Sequence, residues 1–140
     1  MREYIFRGKR VDNGEWAEGS LLIDPDLEKY FICGFDYYTA DYALQREEFM
    51  YEVIPESVGQ YTGMNDKNDR KTFEGDIVRL DEYVKSAFDV NDGVVKYGWG
   101  GFYIGAFSTL NSLNALAAFD GVLRGEVIGN VFENADLLEG

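Results

Sequence analysis

The chain has 140 residues, of which 46% are hydrophobic and 16% aromatic; this is enough for one ordinary core without disulfides or metals, and too apolar for a disordered segment. Thirteen basic residues stand against twenty-six acidic ones, a net charge of −13, which opposes phosphate-driven binding of nucleic acid and docking on anionic membranes. Histidine is absent and cysteine occurs once, so an internal disulfide, a cysteine-based zinc site and a Ser–His or Cys–His nucleophilic pair are excluded.

Ten Tyr, ten Phe and sixteen Gly suit strands joined by tight turns, because aromatics fit a pleated surface and Gly supplies the positive φ that hairpins need. The first hairpin runs from Tyr4 and Phe6 to Val11, turns at Asp12-Asn13-Gly14, and returns through Trp16 to Ile23. Asn-Gly between strand-like runs is the strongest short-range hairpin signal. Asp24-Pro25-Asp26 is a second turn, and Lys29 to Gly34 (KYFICG) reads as a short strand buried on both faces. Cys33 lies in that apolar run, where a buried inert thiol is expected rather than a nucleophile.

Residues 35–52 (FDYYTADYALQREEFMYE) read as an irregular arm with strand at its end. Their aromatic cluster favours packing, in the core or across a subunit contact, over ligand stacking. Pro55 marks the end of an edge strand. Val58–Thr62 and Phe73–Leu80 then read as two strands around the polar segment from Gly63 to Lys71. The polar stretch from Asp81 to Asp92 reads as an insertion at a strand end. Asn91-Asp92-Gly93 opens a second hairpin, VVKYG turning through Gly98 to Gly101 into FYIGAF. Ser108–Phe119 is the one short helix, with Leu110, Leu113 and Leu116 on one face, Ser108 as cap and Gly121 as stop. Glu126–Phe132 is a last strand, and the tail ENADLLEG makes one turn that packs Leu137 and Leu138. The expected fold is mostly β: a single small domain over residues 1–140, a barrel- or sandwich-like antiparallel sheet with one short helix.

Three constellations invite chemistry. Asn65–Arg70 superficially resembles a calcium loop, but counting from Asp66 puts Arg70 and Lys71 at the fifth and sixth positions, where an oxygen ligand and a glycine belong. It reads as a solvated turn. Glu74 and Asp76 flank Gly75 at a strand start, and alternate positions on a strand face one side. Their carboxylates could therefore work as acid and base or hold a cation, yet charges that protect an edge strand explain them as well. Gly98-Trp99-Gly100-Gly101 lacks the Gly-Lys-Ser/Thr ending of a phosphate loop and reads as a hairpin turn. No catalytic, cofactor-binding or metal residue is assigned.

The segments IFRGKRVDNGEWAEGSLL, VIPESVGQYTGMNDKNDRKTFEGDIVRL, GVVKYGWGGFYI and EVIGNVFENADLLEG follow the order seen in the YopX family of phage and prophage proteins, which the chain resembles. The central block is the most specific part. The chain departs from the family at Asn68-Asp69 in that block, where Asn-Gly is usual, and at Ala135 in the closing block, where Pro is common. The resemblance implies a mostly-β, barrel-like fold and a phage or prophage origin, and it brings no activity, ligand or catalytic residue.

The first functional expectation is a non-enzymatic, phage-associated protein-interaction domain that self-associates, since surplus aromatics serve interfaces. It is expected to be a homo-oligomer with a host or phage protein as further partner, with no cofactor, nucleic acid or membrane. No apolar run reaches membrane-spanning length and MREYIFRGKR is too charged for a signal peptide, so the cytosol of the bacterial host is expected. The alternatives are an acidic decoy that binds a basic host protein by imitating DNA, and a carboxylate- or metal-dependent hydrolase built on Glu74 and Asp76.

Overall fold

The computed structural model of the chain describes residues 4–80, 82, 86, 92–98, 101–106 and 125–138. These residues are mostly strand, arranged in antiparallel sheets of which neither closes into a barrel. The contacts group the chain into two compact units, Glu3–Gln60 and Tyr61–Gly140.

In the first unit, β1 (Phe6–Lys9) and β2 (Trp16–Asp24) form the expected hairpin. Its turn is held by the Asn13 side-chain oxygen, which accepts the Glu15 N–H at 2.9 Å, with Gly14 at φ 73°. β2 alternates as a half-covered strand should: Ala17 is buried and Leu21 half-buried, while Glu18, Ser20 and Leu22 face solvent. β3 (Lys29–Ala40) pairs with β2, and β4 (Ala43–Val53) pairs with β3 over its whole length.

The predicted short strand at Lys29–Gly34 is therefore the first half of a twelve-residue strand. It is covered on one face only, since Ile32 is buried while Phe31 and Cys33 are half-exposed. The segment 35–52 is regular hairpin rather than irregular arm. Its two-residue turn, Asp41-Tyr42, has φ of 51° and 64°. Positive φ at both central residues is the type I′ turn, whose twist matches that of paired strands.

Ala17, Ile32 and Val53 form the buried centre of this unit, with Phe6, Leu21, Tyr30, Phe49, Tyr51 and Val58 packed around it. The sheet curls at its base so that Val53 bridges to Arg10, with the Ile54 N–H donating to the Lys9 carbonyl at 2.9 Å and the Val11 N–H to the Glu52 carbonyl at 3.0 Å. Gly8 makes that curl fit: a Cβ there would lie 2.7 Å from Val53 Cγ2. Pro55–Ser57 follows as one 3-10 turn. Ser57 is buried, accepts the Lys9 N–H and donates to the Ile54 carbonyl. The chain leaves the unit in β5 (Gly59–Asn65), whose first residues pair with β1.

In the second unit, the later part of β5 pairs with β6 (Lys71–Phe73). A four-stranded sheet has the order β10-β7-β8-β9, formed by β7 (Asp76–Arg79), β8 (Gly93–Gly98), β9 (Gly101–Ala106) and β10 (Glu126–Asn130). Among the described residues, Ile77, Val78, Val94, Val95 and Val127 are buried aliphatic side chains of this sheet. The predicted strand Phe73–Leu80 is broken in two, because Gly75 takes φ 92° and turns the chain between β6 and β7. The tail makes a 3-10 turn at Ala135–Leu138, with Leu137 exposed rather than packed. The helix expected at 108–119 lies outside the described residues, as does most of the 81–92 stretch.

Candidate interaction site

Beyond Gly34 and Phe49 the β3–β4 hairpin leaves the core of its unit. Every residue from Phe35 to Glu48 is exposed except Ala40, which is half-buried. A two-stranded ribbon with neither face covered is marginal in water, and a polar surface would suit it. This arm instead carries Phe35, Tyr37, Tyr38, Tyr42 and Leu44, with Tyr37 at 62% and Leu44 at 72% exposure.

The pairing register sorts these side chains by face. Cys33 lies opposite Met50, Phe35 opposite Glu48, Tyr37 opposite Arg46 and Thr39 opposite Leu44; directly opposed residues share a face. Ser20, which pairs with Cys33, and Leu22 extend the same face onto β2. It is the outer face, since the core residues Ile32, Phe49 and Tyr51 alternate with it on the other side. Ser20, Cys33, Phe35, Glu48 and Met50 line a shallow apolar depression there, with Gly34 and Phe49 at its edge. Cys33 is half-exposed in this depression, against the expectation of burial, and its thiol contacts the Ser20 carbonyl at 3.6 Å. The Arg46 guanidinium sits 4.6 Å from the centre of the Phe35 ring, a cation–π contact that holds one positive charge over the apolar face.

The carboxylates singled out by the sequence behave differently. Asp66 is buried, not solvated: one oxygen accepts the N–H groups of Asn68 and Arg70, and the other accepts the Val127 N–H, each at 2.9 Å. Burial pushes its pKa up, but the N–H groups of Val127, Arg70 and Asn68, with the Arg70 charge, outweigh this and hold it below the ordinary carboxylate value. Asp66 therefore ties the turn to β10 through both of its carboxylate oxygens. Asp69 adopts the left-handed φ of 62° in the turn, and its carboxylate accepts the Asn65 amide at 2.9 Å. Glu74 lies with Gly75 in the turn between β6 and β7, while Asp76 opens β7, so the two do not alternate along one strand. Asp76 is buried and accepts the Phe73 N–H at 2.7 Å, which closes that turn. Among the described residues no group of three or more His, Cys, Asp or Glu side chains is placed to hold a metal ion. Nor, among them, is any helix long and apolar enough to cross a membrane.

The fold and this site define a class: a mostly-β protein of two antiparallel sheets that projects an aromatic hairpin. The family model described as YopX protein matches residues 5–139, and the chain belongs to the YopX family. Its structure is similar to the crystal structure of protein EF1440 from Enterococcus faecalis, with TM-score 0.58, 25% sequence identity and 99% of each chain covered. None of the curated proteins compared with it matches.

Proposed function

We propose that this YopX-family chain is a non-enzymatic protein-interaction domain that associates with itself through the β3–β4 arm. The observation that carries this reading is the run of exposed Phe35, Tyr37, Tyr38, Tyr42 and Leu44 on a hairpin with no face covered. Aromatic side chains offer large contact area at small cost in side-chain entropy. In this reading the protein acts in the cytosol of a bacterial host as a phage- or prophage-encoded factor, through contacts with protein and without nucleic acid, membrane or cofactor. The absolute mass of the purified chain by light scattering across a wide concentration range tests the reading. A mass above 15.9 kDa that rises with concentration to a fixed multiple is expected, and a constant monomer mass would refute it.

A further inference from the structure

The arm presents an edge as well as a face. β4 ends the strand order, so from Ala43 to Tyr51 no strand among the described residues lies along its outer side. The base of β4 shows which backbone groups point that way. Glu52 offers its carbonyl and Ile54 its N–H to residues 9–11, away from β3. Backbone groups alternate along an antiparallel strand, and the β3–β4 register runs without a shift. The outward donors and acceptors of β4 therefore belong to Leu44, Arg46, Glu48 and Met50.

We propose that two copies add their β4 strands edge to edge, antiparallel about a two-fold axis at Glu47, so that Arg46 of each copy lies opposite Glu48 of the other. This deepens the self-association reading and rests on it. A continuous sheet with a two-fold axis through it must pair residues on the same face, so the axis passes through a residue rather than between two. With the axis at Glu47, both hydrogen-bonded pairs on either side are complementary: Arg46 meets Glu48, and Leu44 meets Met50. Moving the axis to Arg46 or Glu48 puts like charges directly opposite at the centre of the hydrogen-bonded edge. Moving it to Phe49 brings Arg46 opposite Glu52, whose carbonyl already accepts the Val11 N–H and whose carboxylate lies 3.6 Å from Lys29. In the Glu47 register the one opposed feature is Glu47 against its own copy, in the non-hydrogen-bonded position.

Sedimentation equilibrium on the wild type, R46E, E48R and an equimolar mixture of the two variants tests the register. Both side chains are exposed, so each variant folds, which a far-UV circular dichroism spectrum matching the wild type checks. R46E and E48R alone each place like charges in two cross-strand pairs and weaken association about tenfold. Their mixture regains the wild-type affinity to within about threefold, because each acidic pair then meets a basic one. E47Q removes the central repulsion and tightens association about twofold to threefold. A wild type that stays monomeric overturns the underlying self-association reading. A wild type that associates, with single variants that bind unchanged or a mixture that does not recover, overturns the strand pairing alone.

Discussion

At Asp66 a single carboxylate satisfies three backbone N–H groups, one of them on a strand sixty-one residues away. A neutral amide in its place keeps one acceptor oxygen and turns an N–H₂ toward backbone donors. Asp66→Asn is therefore expected to destabilise the fold by about 1–3 kcal/mol, read as a shift in the urea midpoint. The pH dependence follows from the lowered pKa. The stabilisation is fully present above the unfolded carboxylate value and is lost as pH falls through the still lower folded value. Wild-type stability is thus expected to drop below about pH 4, with a shallower acid limb in Asp66→Asn, and parallel curves for the two proteins would contradict this. Gly8 is a second single-residue constraint. Gly8→Ala brings a Cβ against Val53 and is expected to cost about 1–3 kcal/mol by thermal denaturation. Local pattern could not reveal either role. Asp66 sits in a segment that reads as solvated turn, and its third donor, Val127, becomes a neighbour only through sheet pairing.

At the scale of elements, the hairpins marked by local turn chemistry were legible in advance. Asp12-Asn13-Gly14 announced β1–β2, and the VVKYG and FYIGAF runs announced β8–β9, both of which the structure contains. The arm was not legible, because its turn is made by Asp41-Tyr42 in place of Asn-Gly. Tyr at φ 64° is a conformation that bulky residues adopt at a cost. Replacing the pair with Asn-Gly is expected to relieve about 1–2 kcal/mol of turn strain, with no lost packing, since Tyr42 is fully exposed. Slower hydrogen exchange at the β3–β4 amides would show it, and unchanged exchange would mean that the turn stores no strain. The break between β6 and β7 was half-visible. Gly75-Asp76 signalled a turn or bulge, but strand propensity on both sides joined the segments into one.

For the whole molecule, strand-rich composition and the order of the family segments foretold a mostly-β YopX-family fold. The candidate site was only partly legible: the aromatic cluster within residues 35–52 pointed to packing, either in the core or across a subunit contact. Whether those rings lie inside or outside depends on how far β3 and β4 run past the core, and no local pattern encodes that. The alternation expected of Glu74 and Asp76 along one strand is interrupted, since Glu74 lies in the turn with Gly75 and Asp76 opens β7. The claim on which the account turns is that the arm holds copies together. The most direct test replaces residues 35–48 with Asn-Gly, joining Gly34 to Phe49, which are cross-strand partners whose backbone groups face each other. This leaves Ile32, Phe49 and Val53 of the core in place. The sedimentation-equilibrium mass of this shortened chain is then compared with that of the intact one at equal concentrations. The expected result is an associating intact chain and a folded, monomeric shortened chain. A shortened chain that associates as tightly as the intact one would contradict it.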